Sequence, residues 1–163
     1  MTKHKKEITK KPSIVKLIIS IVICQLAGAI GAIFTTPKIG TWYAALHKPL
    51  FNPPNWIFGP VWITLYTLMG IALYLVWESK KSKKQALQIF GLQLALNALW
   101  SMVFFGAESI LFGLVVIILL WLAILWMIVK FWKIDERAGW FLVPYIVWVT
   151  IATALNAGVW LLN

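Results

Sequence analysis

Apolar residues run almost unbroken through five stretches of the chain, at roughly 14–34, 57–77, 85–105, 109–132 and 138–161, and short polar breaks separate the last four. About 20 residues of α-helix, rising about 1.5 Å each, are enough to cross a hydrocarbon core of about 30 Å. The strict alternation of a membrane strand is absent, so a β-barrel is not expected. The pattern predicts an all-α fold, an integral membrane bundle of five transmembrane helices over residues 14–163. A basic tail, residues 1–13, precedes it and is expected to be disordered. The short breaks predict that the last four helices pack antiparallel as neighbours. No internal repeat or low-complexity tract is visible.

The one long connection, residues 35–56, breaks this economy. The stretch "WYAALHKPLFNPPNWIFGPVW", residues 42–62, holds four prolines and three tryptophans. Lys48-Pro49, Asn52-Pro53-Pro54 and Gly59-Pro60 restrict the backbone on both sides of each proline. A stiffened segment loses less entropy when it folds over the bundle. The expectation is a lid formed with Trp42, Tyr43, Pro49, Pro53 and Pro54. Pro60 is expected in the first turn of the second span, where a missing N–H costs little.

Composition supports lipid as the solvent: 61% of the 163 residues are hydrophobic, 12% are charged and the mean hydropathy is +0.85. A soluble domain of this length exposes too much of its surface to hide so much apolar area. The net charge of +10 changes the picture only through its distribution. Lys3, Lys5, Lys6, Lys10, Lys11, Lys16, Lys80, Lys81, Lys83, Lys84, Lys130, Lys133 and Arg137 fall on one side of a five-span protein, and only Lys38 and Lys48 on the other. That is the positive-inside pattern. It predicts a cytoplasmic N-terminus and an outside C-terminus, in the cell membrane of a prokaryote. The basic face meets anionic lipid headgroups rather than nucleic acid. Ala27-Gly28-Ala29 fits a signal-cleavage site, but the apolar run continues through Ile30, Ile33 and Phe34, so a retained first helix is expected.

Much chemistry is missing. The spans carry no central Asp, Glu, Lys, Arg or His, where an ion-coupled carrier keeps an ionisable group. His4, His47 and the single Cys24 do not make up a metal site. His47 as an axial haem ligand is the alternative to a solvated loop histidine. Phosphate-binding glycine loops and nucleophile elbows are absent. No cofactor is required on this reading, no catalytic residue is assigned, and the chain leans away from being an enzyme.

Aromatic residues remain, with eleven tryptophans. Trp77, Trp132 and Trp140 sit near span ends, as belt residues do; Trp121 and Trp126 are expected to face lipid or packing partners. In the third span Gln93, Asn97, Trp100, Ser101 and Phe104 form one stripe at helical spacing. In the second, Trp62 and Tyr66 are one turn apart with Met69 below. In the fifth, Tyr145, Trp148, Ala152 and Asn156 share a face after Pro144. The polar members either hydrogen-bond neighbouring helices or line a cavity. At about 1.5 Å per residue Trp62 lies about 8 Å, and Asn97 about 12 Å, inside its outer end. Ala152 lies at a similar depth and Trp148 nearer the middle. These depths converge under the 35–56 segment, and aromatic walls with a few amide and hydroxyl groups suit a flat apolar ligand. Gly91 and Ala95, with Ala98 nearby, form a small-residue step that predicts a homodimer through the third span.

The segments "WYAALHKPLFNPPNWIFGPVWITLYTLMG", "LQLALNALWSMVFFG" and "PYIVWVTIATALNAGVWLLN" resemble the signature segments of the translocator protein family, also called tryptophan-rich sensory proteins or peripheral-type benzodiazepine receptors (TspO/MBR). The similarity runs from about residue 20 to the C-terminus. It implies a five-helix membrane receptor that binds porphyrins (haem included), sterol-like and isoquinoline-type molecules. It implies a pocket at Trp62, Tyr66, Asn97, Trp100, Ser101, Trp148 and Ala152, covered by the first loop. Animal members carry a cholesterol-recognition pattern in the last helix, with a tyrosine and a following basic residue. Here that helix ends "NAGVWLLN", with neither; a loose match, Leu68–Tyr74–Lys80, lies in the second span.

Three functions compete. The first is a sensor that holds tetrapyrroles or related molecules. The second, implied by some bacterial relatives, is light- and oxygen-dependent porphyrin breakdown, with Trp62 and Trp148 as redox participants. The third is passive transport, for which no coupling residue or repeat speaks.

Overall fold

The computed structural model describes residues 12–163. The lysines at 3, 5, 6, 10 and 11, His4 and most of the expected tail lie outside the described residues. Five long helices, α1 (Ile14–Ile39), α3 (Asn55–Glu78), α4 (Lys84–Ser101), α5 (Ile110–Ile134) and α6 (Glu136–Leu162), are joined by a one-turn helix, α2 (Trp42–Ala45), and a π-helical turn, Met102–Gly106, that continues α4. All five spans are long and apolar enough to cross a membrane, and no strand occurs among the described residues.

Local chemistry sets the ends. Ser13 caps α1, its Oγ accepting the Lys16 N–H. Asp135 caps α6 by accepting the Arg137 N–H at 2.9 Å, and hydrogen bonding from the Arg137 guanidinium holds this carboxyl below the usual carboxylate range. Two sequence expectations need correction here. The first span does not stop at residue 34 but runs to Ile39 through Pro37, and the Thr35 and Thr41 hydroxyls donate back to the Gly31 and Pro37 carbonyls. The connection is therefore shorter, residues 40–54. Pro60 is not in the first turn of its helix, since α3 begins at Asn55. It sits one turn further in, where its missing N–H removes one i→i−4 hydrogen bond of the helix.

The helices close into a ring, each packed on two neighbours, in the order α1, α3, α6, α5, α4 and back to α1. Consecutive helices α4/α5 and α5/α6 are neighbours as expected, but α3 and α4 are not. They face each other across the centre and meet through long side chains, Tyr66 to Asn97 and Gln93 to Met69. Their connection, residues 79–83, can span about 16 Å when extended, more than the 8–10 Å that separates packed helices. The half of the ring where α1 begins, termed the inner half and the opposite one the outer half, is filled by an apolar core that includes Met69, Leu73, Ile124, Met127, Phe131, Leu142 and Tyr145. At this end Lys16 pairs with Glu78, Lys81 bonds the Lys133 carbonyl and Lys130 bonds Gln85. The basic residues thus share one end of the bundle.

Candidate functional site

The outer half of the ring is hollow. A cavity of about 410 Å³ lies between α1, α3, α4, the π turn and α6, beneath the 40–54 segment. Six residues singled out in the sequence line it together: Trp62 and Tyr66 from α3, Asn97, Trp100 and Ser101 from α4, and Ala152 from α6. Trp148 does not. It stands behind Phe58, ring centroids 5.9 Å apart, and it is Phe58 that reaches the cavity. The Trp148 indole N–H is buried and has no hydrogen-bond partner among the described residues.

The wall is ordered by one polarised hydrogen-bond chain. The Tyr66 hydroxyl donates to Asn97 Oδ1 at 2.6 Å, Asn97 Nδ2 donates to the Tyr145 hydroxyl at 2.9 Å, and Tyr145 donates to Gln93 Oε1 at 3.0 Å. Gln93 ends the chain on the Met69 sulfur. A buried amide without partners costs about 1–3 kcal/mol, so each member holds the next in place. An amide has two donors and two acceptor sites. Asn97 uses one of each in the chain, which leaves one N–H and one lone pair to offer a ligand at the cavity wall. Asn156 is held similarly: its Oδ1 accepts the Trp100 indole N–H at 3.2 Å while its Nδ2 donates to the Ile110 carbonyl at 3.0 Å. Gln93, Asn97 and Asn156 all bond other helices, mostly across the ring; Asn97 and Asn156 line the cavity as well, whereas Gln93 lies below it.

The aromatic faces follow from these anchors. Trp62 stacks on Tyr66 with centroids 5.5 Å apart and meets Tyr145 edge-on at 6.3 Å. Trp100 stacks on Phe104 at 5.6 Å. Among the described residues no charged side chain lines the cavity, so it suits a flat, mostly apolar molecule with one or two polar groups.

The five residues expected in the lid occupy different places. Tyr43 lines the cavity from above, its hydroxyl donating to Asn52 Oδ1 at 2.8 Å, and burial pushes its phenol up to about 12. Trp42 packs edge-on against Phe104 at 5.4 Å and Phe105 at 6.3 Å. Pro49 rests on Gly158 of α6, the Pro53 carbonyl accepts from Asn52, and Pro54 sits at the start of α3. His47 is exposed on the outer side of this roof, bonded to Asn163, away from the cavity lining. Among the described residues no group of three His, Cys, Asp or Glu side chains stands together.

The wall that sequence reasoning missed is α1, which contributes Gln25, Gly28, Ala29, Ala32 and Thr35 among others. Gly28 is required there: a Cβ on it would stand 2.3 Å from the Tyr66 ring. The readable sign was the cluster of small residues at 27–29 and 31–32, which leaves room beside a helix face instead of filling it. For the dimer step, Gly91 and Ala95 are exposed on the outside of the bundle and Ala98 is half-buried. Open space surrounds the place where a Gly91 Cβ would stand.

A model of the TspO/MBR family matches residues 20–161. The chain is 44% identical to the tryptophan-rich protein TspO of Archaeoglobus fulgidus over 154 residues, 93% of this chain and 99% of that protein. It is 44% identical to protein CrtK of Rhodobacter capsulatus over 147 residues, 87% and 89% of the two chains. It is 41% identical to the human translocator protein over 123 residues, 73% of each.

Proposed function

We infer the function from one premise: the chain belongs to the TspO/MBR family. It is an integral membrane protein of the receptor and sensor type. Its specific role, on our reading, is to hold porphyrins and chemically similar flat molecules, sterol-like and isoquinoline-type compounds included, in the outer-half cavity. The observation that carries this is the Trp62–Tyr66 stack set against the Asn97 amide, which pairs a flat contact surface with a directional polar group. Trp62, Tyr66, Asn97, Trp100, Ser101 and Ala152 form the contact wall, Trp148 supports Phe58, and Tyr43 closes the top.

Porphyrin added to the purified protein in the dark should quench tryptophan fluorescence saturably, at one site per chain. No quenching at any concentration sinks the reading. The same sample under light tests the second role: a stable porphyrin spectrum leaves a binding protein, whereas bleaching that depends on oxygen and on Trp62 makes the chain an enzyme. The stacking of Trp62 on a hydrogen-bonded tyrosine is the feature that keeps this second role in view.

A further inference from the structure

The residues around the cavity do not share one environment. Those from α4, the π turn and α6, with Tyr43 from the roof, are buried or half-buried. Every exposed one stands on α1 or the first turns of α3: Ala29, Ala32 and Thr36 on one side, Asn55, Gly59 and Ile63 on the other. Ile63 alone keeps 61% of its surface open.

The path of α1 explains this. Its inner half is fastened to α3 by the Lys16–Glu78 pair, by the Ile21 backbone against Gly70, and by Gln25 Nε2, which donates to the Ile63 carbonyl and the Thr67 hydroxyl at 3.0 Å each. Its outer half leans the other way, onto α4 and the π turn. There Gly31 lies against Ser101, the Phe34 ring lies against Gly106, and Lys38 Nζ pairs with Glu108 at 2.6 Å. Above Gln25 the two helices therefore diverge, and the gap opens on the membrane-facing side of the cavity.

The roof is tied to the bundle at several points. The His47 N–H donates to Asn163 Oδ1 at 3.0 Å and Asn163 Nδ2 donates back to the His47 carbonyl at 2.9 Å. Pro49 rests on Gly158, and Trp42 is wedged against the Phe104–Phe105 pair.

We infer that the gap between α1 and α3, with Gln25 at its vertex, is the portal by which ligands pass sideways between the bilayer and the cavity, while the roof stays shut. This rests on the binding role proposed above and narrows its ligands to molecules that dissolve in the membrane first. The rim fits that class. Ala29, Ala32 and Gly59 leave a slot that takes a flat ring edge-on, and Thr36 and Asn55 stand at its outer end, where a polar substituent can stay near the headgroups.

The test is stopped-flow tryptophan quenching by protoporphyrin, with the protein in lipid nanodiscs. An Ala32→Cys sample is measured before and after alkylation by a bulky maleimide; Cys24 is buried and out of reach. Because the plug is added after folding, misfolding cannot mimic the result, and Ile63→Trp narrows the opposite rim independently. A His47→Cys/Asn163→Cys pair, measured open and then closed by a disulfide or a short bis-maleimide, locks the roof. Plugging the rim should slow association and dissociation together, by about tenfold or more, since a blocked path lowers both rates, whereas an adduct that merely invades the cavity weakens binding and speeds release. Locking the roof should leave both rates within about twofold. A locked roof that slows binding as much as the plug, or a plugged rim that slows nothing, overturns the portal. Wild-type protein that shows no quenching at all fails the binding role itself, and the portal falls with it.

Discussion

Trp148 shows how one side chain can belong to a site without touching its contents. Its ring supports Phe58 from behind, and its indole N–H is buried with no hydrogen-bond partner among the described residues. Replacing a buried unpaired donor by an apolar ring removes a desolvation penalty. Trp148→Phe should therefore keep porphyrin affinity and leave thermal stability unchanged or raised. Trp148→Ala should weaken binding less than Trp62→Ala and more than Trp121→Ala, because Trp121 is held on the far side by Thr150 Oγ1 at 2.9 Å. Titration of the three alanine variants ranks them; an effect of Trp148→Ala as large as that of Trp62→Ala would place the ring in direct contact. Sequence spacing put Trp148 on the right helix face. It gave no access to the neighbour, Phe58, which comes from another helix and takes the inner position.

At the scale of elements, close helix approach separates two kinds of glycine. A Cβ on Gly70 would stand 2.5 Å from the Ile21 backbone, so Gly70→Ala must push α1 from α3 and should cost about 1–3 kcal/mol in thermal unfolding in detergent. An unchanged midpoint would mean that α1 is not fastened there. Gly91 is the contrasting case, exposed and with open space around it. Gly91→Leu should leave the monomer fold intact and reduce a dimeric detergent-solubilised mass to the monomer; a mass unchanged by the substitution would remove α4 as the dimer face. The five spans were legible because lipid demands length and apolarity, which sequence displays directly. Two features were hidden. The extension of α1 to Ile39 carries the helix through Pro37, a residue that in sequence reads as a helix end. The separation of α3 from α4 depends on which helices α1 chooses as partners, and that is not written in any one segment.

The whole molecule has two unlike ends: a filled inner half ringed by basic residues, and a hollow outer half under a proline-stiffened roof. If the basic end faces the cytoplasm, a reporter fused after Asn163 should be active only outside it; activity inside would reverse the molecule. Stripes of polar and aromatic residues on three helices pointed to the hollow half before any geometry was known, because amides placed in lipid must find partners. The α1 wall and the side opening were not readable, since small residues announce space only once their neighbours are in position. The central claim is that the Trp62–Tyr66 stack and the Asn97 amide hold a flat ligand. Protoporphyrin titrations of Trp62→Ala and Asn97→Leu, each shown by thermal unfolding to be folded, test it most directly. Loss of the Trp62 surface should weaken binding by about 1–3 kcal/mol, roughly five- to a hundred-fold. Asn97→Leu should weaken ligands that carry a carbonyl or carboxylate and spare purely apolar ones. Folded variants that both bind protoporphyrin as wild type does would contradict the account and leave these faces as helix packing alone.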